Sequence, residues 1–354
     1  MLEIDMIDAE WSEHCSYKSS KKYVRSLPSR GKRVIVGPGY DAGVLDIGDE
    51  DVVTVHIESH NHPSAVEPYG GAATGVGGVI RDIISMGTRP VALLDALRFS
   101  SLDNVTETSK SKWLFRNVVK GIADYGNCIG VPTVTGEVEF DASFGEYCLV
   151  DVASIGLGRT NRIIRNCASS GDYIILAGGA TGREGMGGAT FASKDMLEEN
   201  RSAVQVPDPF EEKLLIEATI EAAEQHYIKA LKDLGGGGLS CCLSELSDTL
   251  GVGFDVELSK VHSKENNLGP SDLMVSESQE RMLFVTDSEK LKGLKKIFRK
   301  YDINFSLIGR VKDHHDLVLR FKGRIVGKMT SNLICHPPMS VRLSARPLYI
   351  DETK

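Results

Sequence analysis

Hydrophobic positions in residues 1–160 follow two periods, which predict both strands and helices. Short apolar runs, some rich in β-branched residues, predict strands at 34–36, 51–57, 91–99 and 147–156. Apolar residues at helical spacing predict a glycine-opened helix over 70–87 and an amphipathic helix over 108–125. A short basic helix is expected over 16–26.

The same kind of pattern restarts after residue 160. Strands are predicted at 173–177, 228–234, 282–286, 305–311 and 316–328, and helices at 209–225, 239–250 and 288–300. The strands and helices do not alternate regularly, so a doubly wound sheet is not favoured. We expect a mixed α/β chain of the α+β class with domains at 1–160 and 161–345, and a tail or linker at 346–354.

The amino-acid composition argues against several functional classes of protein. The 354 residues carry 49 acidic and 41 Lys or Arg side chains, a formal charge of −8, which argues against a general nucleic-acid-binding surface. The longest apolar runs are too short for a membrane span, and the N-terminus does not resemble a signal peptide. Seven scattered cysteines without a CxxC pair indicate reduced thiols, so a cytoplasmic location is expected.

Glycine is the distinctive residue type. The 36 glycines cluster at 70–78, 178–188 and 235–238. A glycine-rich segment before a helix exposes backbone N–H groups to an anion, although close helix packing or a hinge would use the same residues. Arg81 and Asp82 follow the first cluster, and Asp233 precedes the third. Arg81 is a candidate cation for binding phosphate, and Asp82 and Asp233 are candidate carboxylate ligands for Mg²⁺.

A second candidate site is the histidine-rich segment 55–63. If the strand continues, His56, Glu58, His60 and His62 share one face. Three interpretations are open: a solvated strand edge, a zinc-type metal site, or a proton-transfer and phosphate-binding corner with Glu58 on a hard cation.

Two further segments carry polar groups. His14 and Cys15 could form a nucleophilic pair, and the Ser-Glu-Ser-Gln run at 276–279 could bind sugar hydroxyls or phosphate, or form only a turn. No Gly-x-Cys-x-Gly segment of the glutaminase type occurs in the chain.

Six segments together resemble the synthetase subunits of phosphoribosylformylglycinamidine synthase, the PurL family. They are 11–20 (Trp-Ser-Glu-His-Cys-Ser-Tyr-Lys-Ser-Ser), 58–68 (Glu-Ser-His-Asn-His-Pro-Ser-Ala-Val-Glu-Pro), 71–82, 204–210, 232–239 and 276–283. They span nearly the whole chain in the family's order. The resemblance implies a PurM-like two-domain fold, with an N-terminal domain that forms a β-barrel on dimerisation and a C-terminal α/β domain.

The resemblance also implies an ATP-dependent amidation in purine biosynthesis. ATP would phosphorylate the amide oxygen of formylglycinamide ribonucleotide (FGAR). Ammonia would then displace phosphate to give formylglycinamidine ribonucleotide (FGAM) and ADP. The implied partners are a PurQ-like glutaminase, a PurS-like small subunit, and either a second-half synthetase domain or a homodimer mate.

Site roles are carried over by position in the matching motifs. His14 and His60 match catalytic positions, with His60 as proton acceptor. Tyr17 and His56 match ATP contacts, and Glu58, Asp82 and Asp233 match Mg²⁺ ligands. The substrate contacts are matched by Ser59, His60, Asn61, His62, Arg81, Gln205, Glu277, Ser278 and Gln279.

The chain departs from the family pattern in three ways. His56 replaces the common Lys, as in archaeal-like members. The helical stretch before Trp11 is almost absent, and the sequence stops at Lys354 where members continue into a second half. The resemblance and these departures together predict that the chain supplies the FGAR-binding half of a PurL-type synthetase. Two alternatives stay open: a self-sufficient homodimeric PurM-like enzyme with another substrate, or a non-catalytic nucleotide-binding scaffold subunit.

Overall fold

A computed structural model describes residues 2–102, 106, 109–193 and 203–339. The predicted tail at 346–354 and the predicted start of a helix at 108 lie outside the described residues. Within the described part, no helix combines the length and the apolar character needed to cross a bilayer.

The first half of the chain builds a six-stranded sheet in the order β1-β2-β3-β6-β4-β5. Its strands are β1 Val34–Val36, β2 Gly43–Gly48, β3 Asp51–Ser59, β4 Arg89–Phe99, β5 Thr133–Phe140 and β6 Cys148–Arg159. Neighbours are antiparallel except β4 and β5, which are parallel. The hydrophobic pattern missed β2, which contains Gly and Asp, and β5, whose eight residues are all exposed.

Three helices belong to this half: α4 Asn61–Val66, α5 Pro68–Ser85 and α6 Lys110–Ile129. Every residue of α5 except Tyr69 is buried, because the helix lies between the sheet, α6 and the second half of the molecule. The Ser109 side chain caps the N-terminus of α6, and Gly130 ends the helix in the left-handed conformation at φ 75°.

The second half builds a seven-stranded sheet in the order β13-β12-β9-β11-β7-β10-β8. Its strands are β7 Tyr173–Gly178, β8 Ala230–Asp233, β9 Gly253–Glu257, β10 Arg281–Thr286, β11 Phe305–Lys312, β12 Asp316–Phe321 and β13 Arg324–Thr330. The single strand predicted over 316–328 is wrong, because Lys322 and Gly323 adopt φ 52° and 78° and turn the chain into a hairpin.

The helices of this half are α7 Gly188–Ala192, α8 Pro209–Glu224, α9 Gly238–Leu250, α10 Pro270–Val275, α11 Leu291–Lys300 and α12 Ser331–Cys335. Asp208 caps α8 and Pro209 takes its first position, as the sequence pattern indicates. The two sheets and their helices confirm the predicted mixed α+β class.

The N-terminal residues form three short helices: α1 Leu2–Glu10, α2 Glu13–Ser16 and α3 Lys21–Val24. The basic helix predicted over 16–26 is confirmed only as α3 and its predicted bounds are wrong, since Tyr17 ends α2 with a left-handed φ of 50°. Helix α1 packs against α9, α10, α12 and β13, and Leu2 and Met6 join the core of the second sheet. The first residues of the chain therefore belong structurally to its second half.

A shared hydrophobic core joins the two halves. It contains Val76 and Leu97 from the first half together with Leu215 and Phe284 from the second. Because these buried side chains pack in one cluster, the two halves are held in a fixed relative position where α5 contacts α8 and β8.

We predict that Gly121→Ala destabilises the fold. An added Cβ at Gly121 would lie 2.2 Å from the backbone oxygen of Tyr69, so α6 would have to move away from α5. Overpacking of this kind should lower the free energy of unfolding by about 1–3 kcal/mol. Urea unfolding checks this, with Asn127→Ala on the exposed face of α6 as a control that stays within about 0.5 kcal/mol. Equal stability of the two variants would contradict the close approach.

Candidate functional site

A polar cavity of about 580 Å³ lies where the two halves meet the N-terminal helices. Its size is typical of small-molecule sites. The lining residues include His14, Tyr17, His56, Glu58, Ser59, His60, His62, Thr74, Arg81, Ser193, Gln205, Asp233, Gly236 and Gln279. A smaller cavity of about 90 Å³ adjoins it and is also lined by Asn61 and Glu277.

The segment from β3 into α4 supplies one wall. His56 and Glu58 share a strand face, as the period of two predicts. The prediction that His60 and His62 continue this face is wrong, because β3 ends at Ser59 and His60 is the N-cap of α4. The turn still brings all four side chains to the cavity.

Hydrogen bonds to β6 fix this turn. The His60 N–H donates to the Val150 carbonyl at 2.8 Å, and the Val150 N–H donates to Asn61 Oδ1 at 2.6 Å. Asn61 therefore contributes to the site by holding the backbone of the histidine segment in place.

His60 has a defined tautomer. Its Nδ1 contacts the Gly71 carbonyl, which can only accept, so Nδ1 carries the proton and Nε2 keeps a lone pair. Loss of hydration lowers the pKa of His60 to about 4, so the ring is neutral near pH 7. A neutral imidazole with a free Nε2 can accept a proton.

His56 lies between two carboxylates. Its Nε2 is 2.8 Å from Asp82 Oδ2 and 3.4 Å from Glu58 Oε1. Burial alone would lower the pKa of His56, but these two carboxylates raise it to about 11. Burial would raise the pKa of Glu58, but hydrogen bonding and charge from His56 lower it to about 2.

Three aspartates form a second acidic group. Carboxylate oxygens of Asp41, Asp82 and Asp233 lie within 4.8 Å of one another. Burial and then the repulsion from Asp233 raise the pKa of Asp82. Burial and then the repulsion from Asp41 raise the pKa of Asp233 to about 7. The Lys232 Nζ donates to Asp41 Oδ1 at 2.6 Å and so offsets part of the charge.

These donors fit a hard divalent cation. Both candidate groups, His56–Glu58–Asp82 and Asp41–Asp82–Asp233, consist mostly of carboxylate oxygens. Such a set suits Mg²⁺ or Mn²⁺ better than zinc. Sequence reasoning missed Asp41, whose only signal is its place in a Gly-Pro-Gly-Tyr-Asp-Ala-Gly loop before β2.

Arg81 supplies a buried cation to the cavity wall. Its side chain is 1% exposed, and it donates to Glu212 Oε2 at 3.3 Å and to Gln279 Oε1. Burial would lower its pKa, but Glu212 and Glu280 outweigh that effect and raise it. The guanidinium Nε has no hydrogen-bond partner and lies 3.8 Å from Asp233 Oδ2.

Glu277 and Gln205 brace the glycine-rich loops. Glu277 Oε1 accepts from the N–H groups of Ala189 and Gly237 at 2.8 and 3.0 Å, and its Oε2 accepts from Gln205 Nε2 at 2.6 Å. Burial raises the pKa of Glu277 to about 7. Among the residues that the structure describes, the buried Gln205 Oε1 has no hydrogen-bond partner.

Ser278 lies behind this wall and lines neither cavity. Its hydroxyl donates to Glu184 Oε2 at 2.8 Å and accepts from the Gly182 N–H at 2.9 Å. Its assignment as a substrate contact stays a prediction.

His14 and Tyr17 close the cavity from the N-terminal side. The His14 N–H donates to Ser193 Oγ at 2.9 Å, which ties α2 to the segment after α7. Tyr17 is 56% exposed and lies at the rim. The structure thus places most of the predicted site residues on these two adjoining cavities, with Asn61 and Glu277 on the smaller one. Asp82 and Ser278 line neither cavity, although Asp82 contacts His56 of the cavity wall.

Comparisons with known proteins agree with this arrangement. The family described as "AIR synthase related protein, N-terminal domain" matches residues 39–158, and "AIR synthase related protein, C-terminal domain" matches 169–322. The Pyrococcus furiosus phosphoribosylformylglycinamidine synthase subunit PurL is 50% identical over 342 residues, which make up 95% of this chain and 48% of that protein.

Solved structures of Thermotoga maritima PurL have the same fold. The FGAR complex superposes with a TM-score of 0.88 at 38% identity, covering 98% of this chain and 55% of that one. The ATP complex gives 0.82 at 36% identity, covering 98% and 54%. The chain spans about half the length of the curated relatives it matches. The family matches and the identities show that the chain belongs to the AIR synthase related protein family, and within that family to the PurL group.

Proposed function

We propose that this chain provides the FGAR-binding half of a PurL-type synthetase, acting in the cytoplasm. The complete enzyme would convert FGAR, ATP and ammonia into FGAM, ADP and phosphate. One observation carries the proposal: a single cavity is lined by a buried cation, a neutral histidine and the carboxylates of Glu58 and Asp233, which form two groups of hard oxygen ligands with Asp82 and Asp41 beside them. The relatives' complexes with FGAR and with ATP support the choice of ligands.

Each part of the cavity has a chemical task in this reaction. Arg81 is held by Glu212 and Gln279, and its other guanidinium N–H groups can bind an anionic or carbonyl oxygen of FGAR. His60 Nε2 accepts a proton as ammonia attacks the activated carbon. Gln205 Oε1 is a free acceptor for a substrate hydroxyl or N–H.

The carboxylates would hold Mg²⁺ with the nucleotide phosphates. Glu58 and Asp82, together with Asp41 and Asp233, are the candidate ligands. Bound Mg²⁺ would neutralise phosphate charge and so favour transfer of the terminal phosphoryl group to the amide oxygen. Tyr17 and His56 are the proposed nucleotide contacts from this chain.

The ammonia would come from a separate subunit. Because the sequence has no glutaminase-type cysteine elbow, we propose a PurQ-like glutaminase and a PurS-like small subunit as partners. A chain with the sequence features of a synthetase alone should not hydrolyse glutamine.

An exposed apolar face of the first sheet supports the proposal that a protein partner binds there. Leu45, Ile47, Val55 and Ile57 project from one face of β2 and β3 and are 40–65% exposed. Apolar faces of this kind are usually covered by a partner. We propose that a related synthetase half, or a second copy of this chain, covers the face and completes a β-barrel.

Replacing a carboxylate should weaken metal binding. We expect Asp82→Asn to lower the affinity for Mn²⁺ at least tenfold, about 1.4 kcal/mol, because both candidate groups share this residue. Electron paramagnetic resonance of free Mn²⁺ measures the change, and Asp316→Asn on the distant β12 serves as the control. Stoichiometric zinc in protein purified without added metal would contradict a magnesium-type site.

A charge on the open sheet face should prevent dimer formation. We expect the chain to sediment as a dimer at micromolar concentration, since closed two-fold dimers are the commonest assembly. Val55→Lys should yield monomer, whereas Val119→Lys, at an exposed position of α6, should remain dimeric. A stable wild-type monomer would be evidence against the second-copy arrangement.

Turnover by the isolated chain should be weak or absent. We expect FGAR and Mg²⁺–ATP to bind in calorimetry, while FGAM formation with ammonium chloride stays near background, because these residues correspond to about half the length of the PurL relatives. Full turnover would show a self-sufficient enzyme. Nucleotide binding without FGAR binding would instead favour a scaffold subunit, and glutamine hydrolysis by the chain alone would refute the need for a glutaminase.

A further inference from the structure

Two thiols meet beneath the cavity. Cys15 in α2 and Cys241 in the first turn of α9 are 226 residues apart in the sequence, yet their Sγ atoms lie 3.6 Å apart. Cys15 is partly exposed and Cys241 is 5% exposed. The proposed reaction uses neither thiol, so their proximity needs another explanation.

The surrounding backbone allows the sulfurs to approach further. A disulfide requires an S–S distance of about 2.05 Å, so the pair must close by about 1.5 Å. Cys15 lies in a four-residue helix that ends at Tyr17. Cys241 follows the glycine loop 235–238, in which Gly237 and Gly238 have φ 73° and 58°.

Gly237 also makes room for the pair. An added Cβ at this position would lie 2.1 Å from Cys241 Sγ, so the thiol occupies the space that a side chain would fill. The next-door Gly236 faces His14 and Cys15, at 3.0 and 3.6 Å from its Cβ position. The glycines therefore let α2 and α9 approach at the point where the thiols meet.

A buried carboxylate stands beside the pair. Glu10 is 3% exposed, and within the described part of the chain its Oε2 has no hydrogen-bond partner. The Cys241 and Cys335 side chains lie next to this carboxylate. Burial raises the pKa of Glu10 to about 7, so the group can accept a proton near neutral pH. The site thus combines two adjacent sulfurs with a base for the buried thiol.

We propose that Cys15 and Cys241 form a reversible disulfide when the protein meets a peroxide. Cys15 sulfur attacks one peroxide oxygen, the O–O bond breaks, and Cys15 becomes a sulfenic acid as water leaves. Cys241 sulfur then attacks Cys15 sulfur, its proton passes by way of Glu10, and the hydroxyl leaves as a second water. Two thiols and one hydrogen peroxide give one disulfide and two waters, and a dithiol reductant reverses the reaction.

The disulfide would change the shape of the cavity. Its effect on ATP binding rests on the proposed function. His14 precedes Cys15, and Gly235 and Gly236 line the same cavity. Drawing α2 towards the glycine loop would press His14 against Gly236, whose Cβ position is already 3.0 Å from the ring. We expect the oxidised chain to bind Mg²⁺–ATP at least threefold more weakly than the reduced chain.

The thiol reaction is tested in a background that carries Cys128→Ser and Cys167→Ser, because both of those side chains are exposed. Stoichiometric hydrogen peroxide should remove two titratable thiols, and peptide mapping should find a Cys15–Cys241 disulfide that dithiothreitol reverses. Adding Cys241→Ser should limit the loss to one thiol and leave a sulfenic acid at Cys15 that dimedone traps. Adding Cys15→Ser should protect Cys241, because it is buried.

Cys335→Ser is the matched control, since Cys335 also contacts Glu10 and its loss should leave the disulfide yield unchanged. A disulfide that maps to Cys335, or a loss of thiols that does not change in the Cys15→Ser variant, would overturn the proposal. ATP binding is then compared before and after oxidation. If the reduced chain binds no ATP, the proposed function is wrong. Peptide mapping of the disulfide still tests the thiol proposal in that case.

Discussion

The buried guanidinium of Arg81 is the interaction on which the arrangement of the two halves depends. A desolvated charge is tolerated only with polar partners, and removing one side of such a pair typically costs about 3–5 kcal/mol. Arg81 belongs to α5 of the first half, but Glu212 and Gln279 both come from the second. The need to satisfy this one cation therefore fixes the register of α5 against α8 and the start of β10, and with it the shape of the cavity.

The cavity wall and the carboxylates beside it hold more negative than positive charge. Asp41, Asp82 and Asp233 converge on one point, and Lys232 and Arg81 offset only part of their repulsion. A cluster of this kind is stable when a divalent cation occupies it. In the absence of such an ion, the His56 ring between Asp82 and Glu58 provides a local positive charge. Fold and ligand binding are thus linked through electrostatics.

Hydrophobic periodicity predicted the helices and strands that have a buried face. It missed elements whose residues are not buried. The stripes of α5 and α6 were evident, whereas the fully exposed β5 has no inward face to detect. The family motifs located the cavity residues, but Asp41 stands alone in a loop and reaches the site only through the tertiary fold. Glu277 illustrates another limit, since the sequence marks the residue without revealing that its Oε1 accepts from two loop N–H groups while its Oε2 accepts from the Gln205 side chain.

The position of α1 has a consequence for how the chain is made. Leu2 and Met6 share a core with Ile334, and the Trp11 indole donates to the Ile334 carbonyl at 2.9 Å. Leu2 and Met6 therefore find this packing partner only after more than three hundred further residues have been synthesised. During that interval the first sheet can form around α5 and α6, while α1 exposes an apolar face. The core of the second sheet can close only after Ile334 has left the ribosome, and nascent chains should depend on protection of α1 until then.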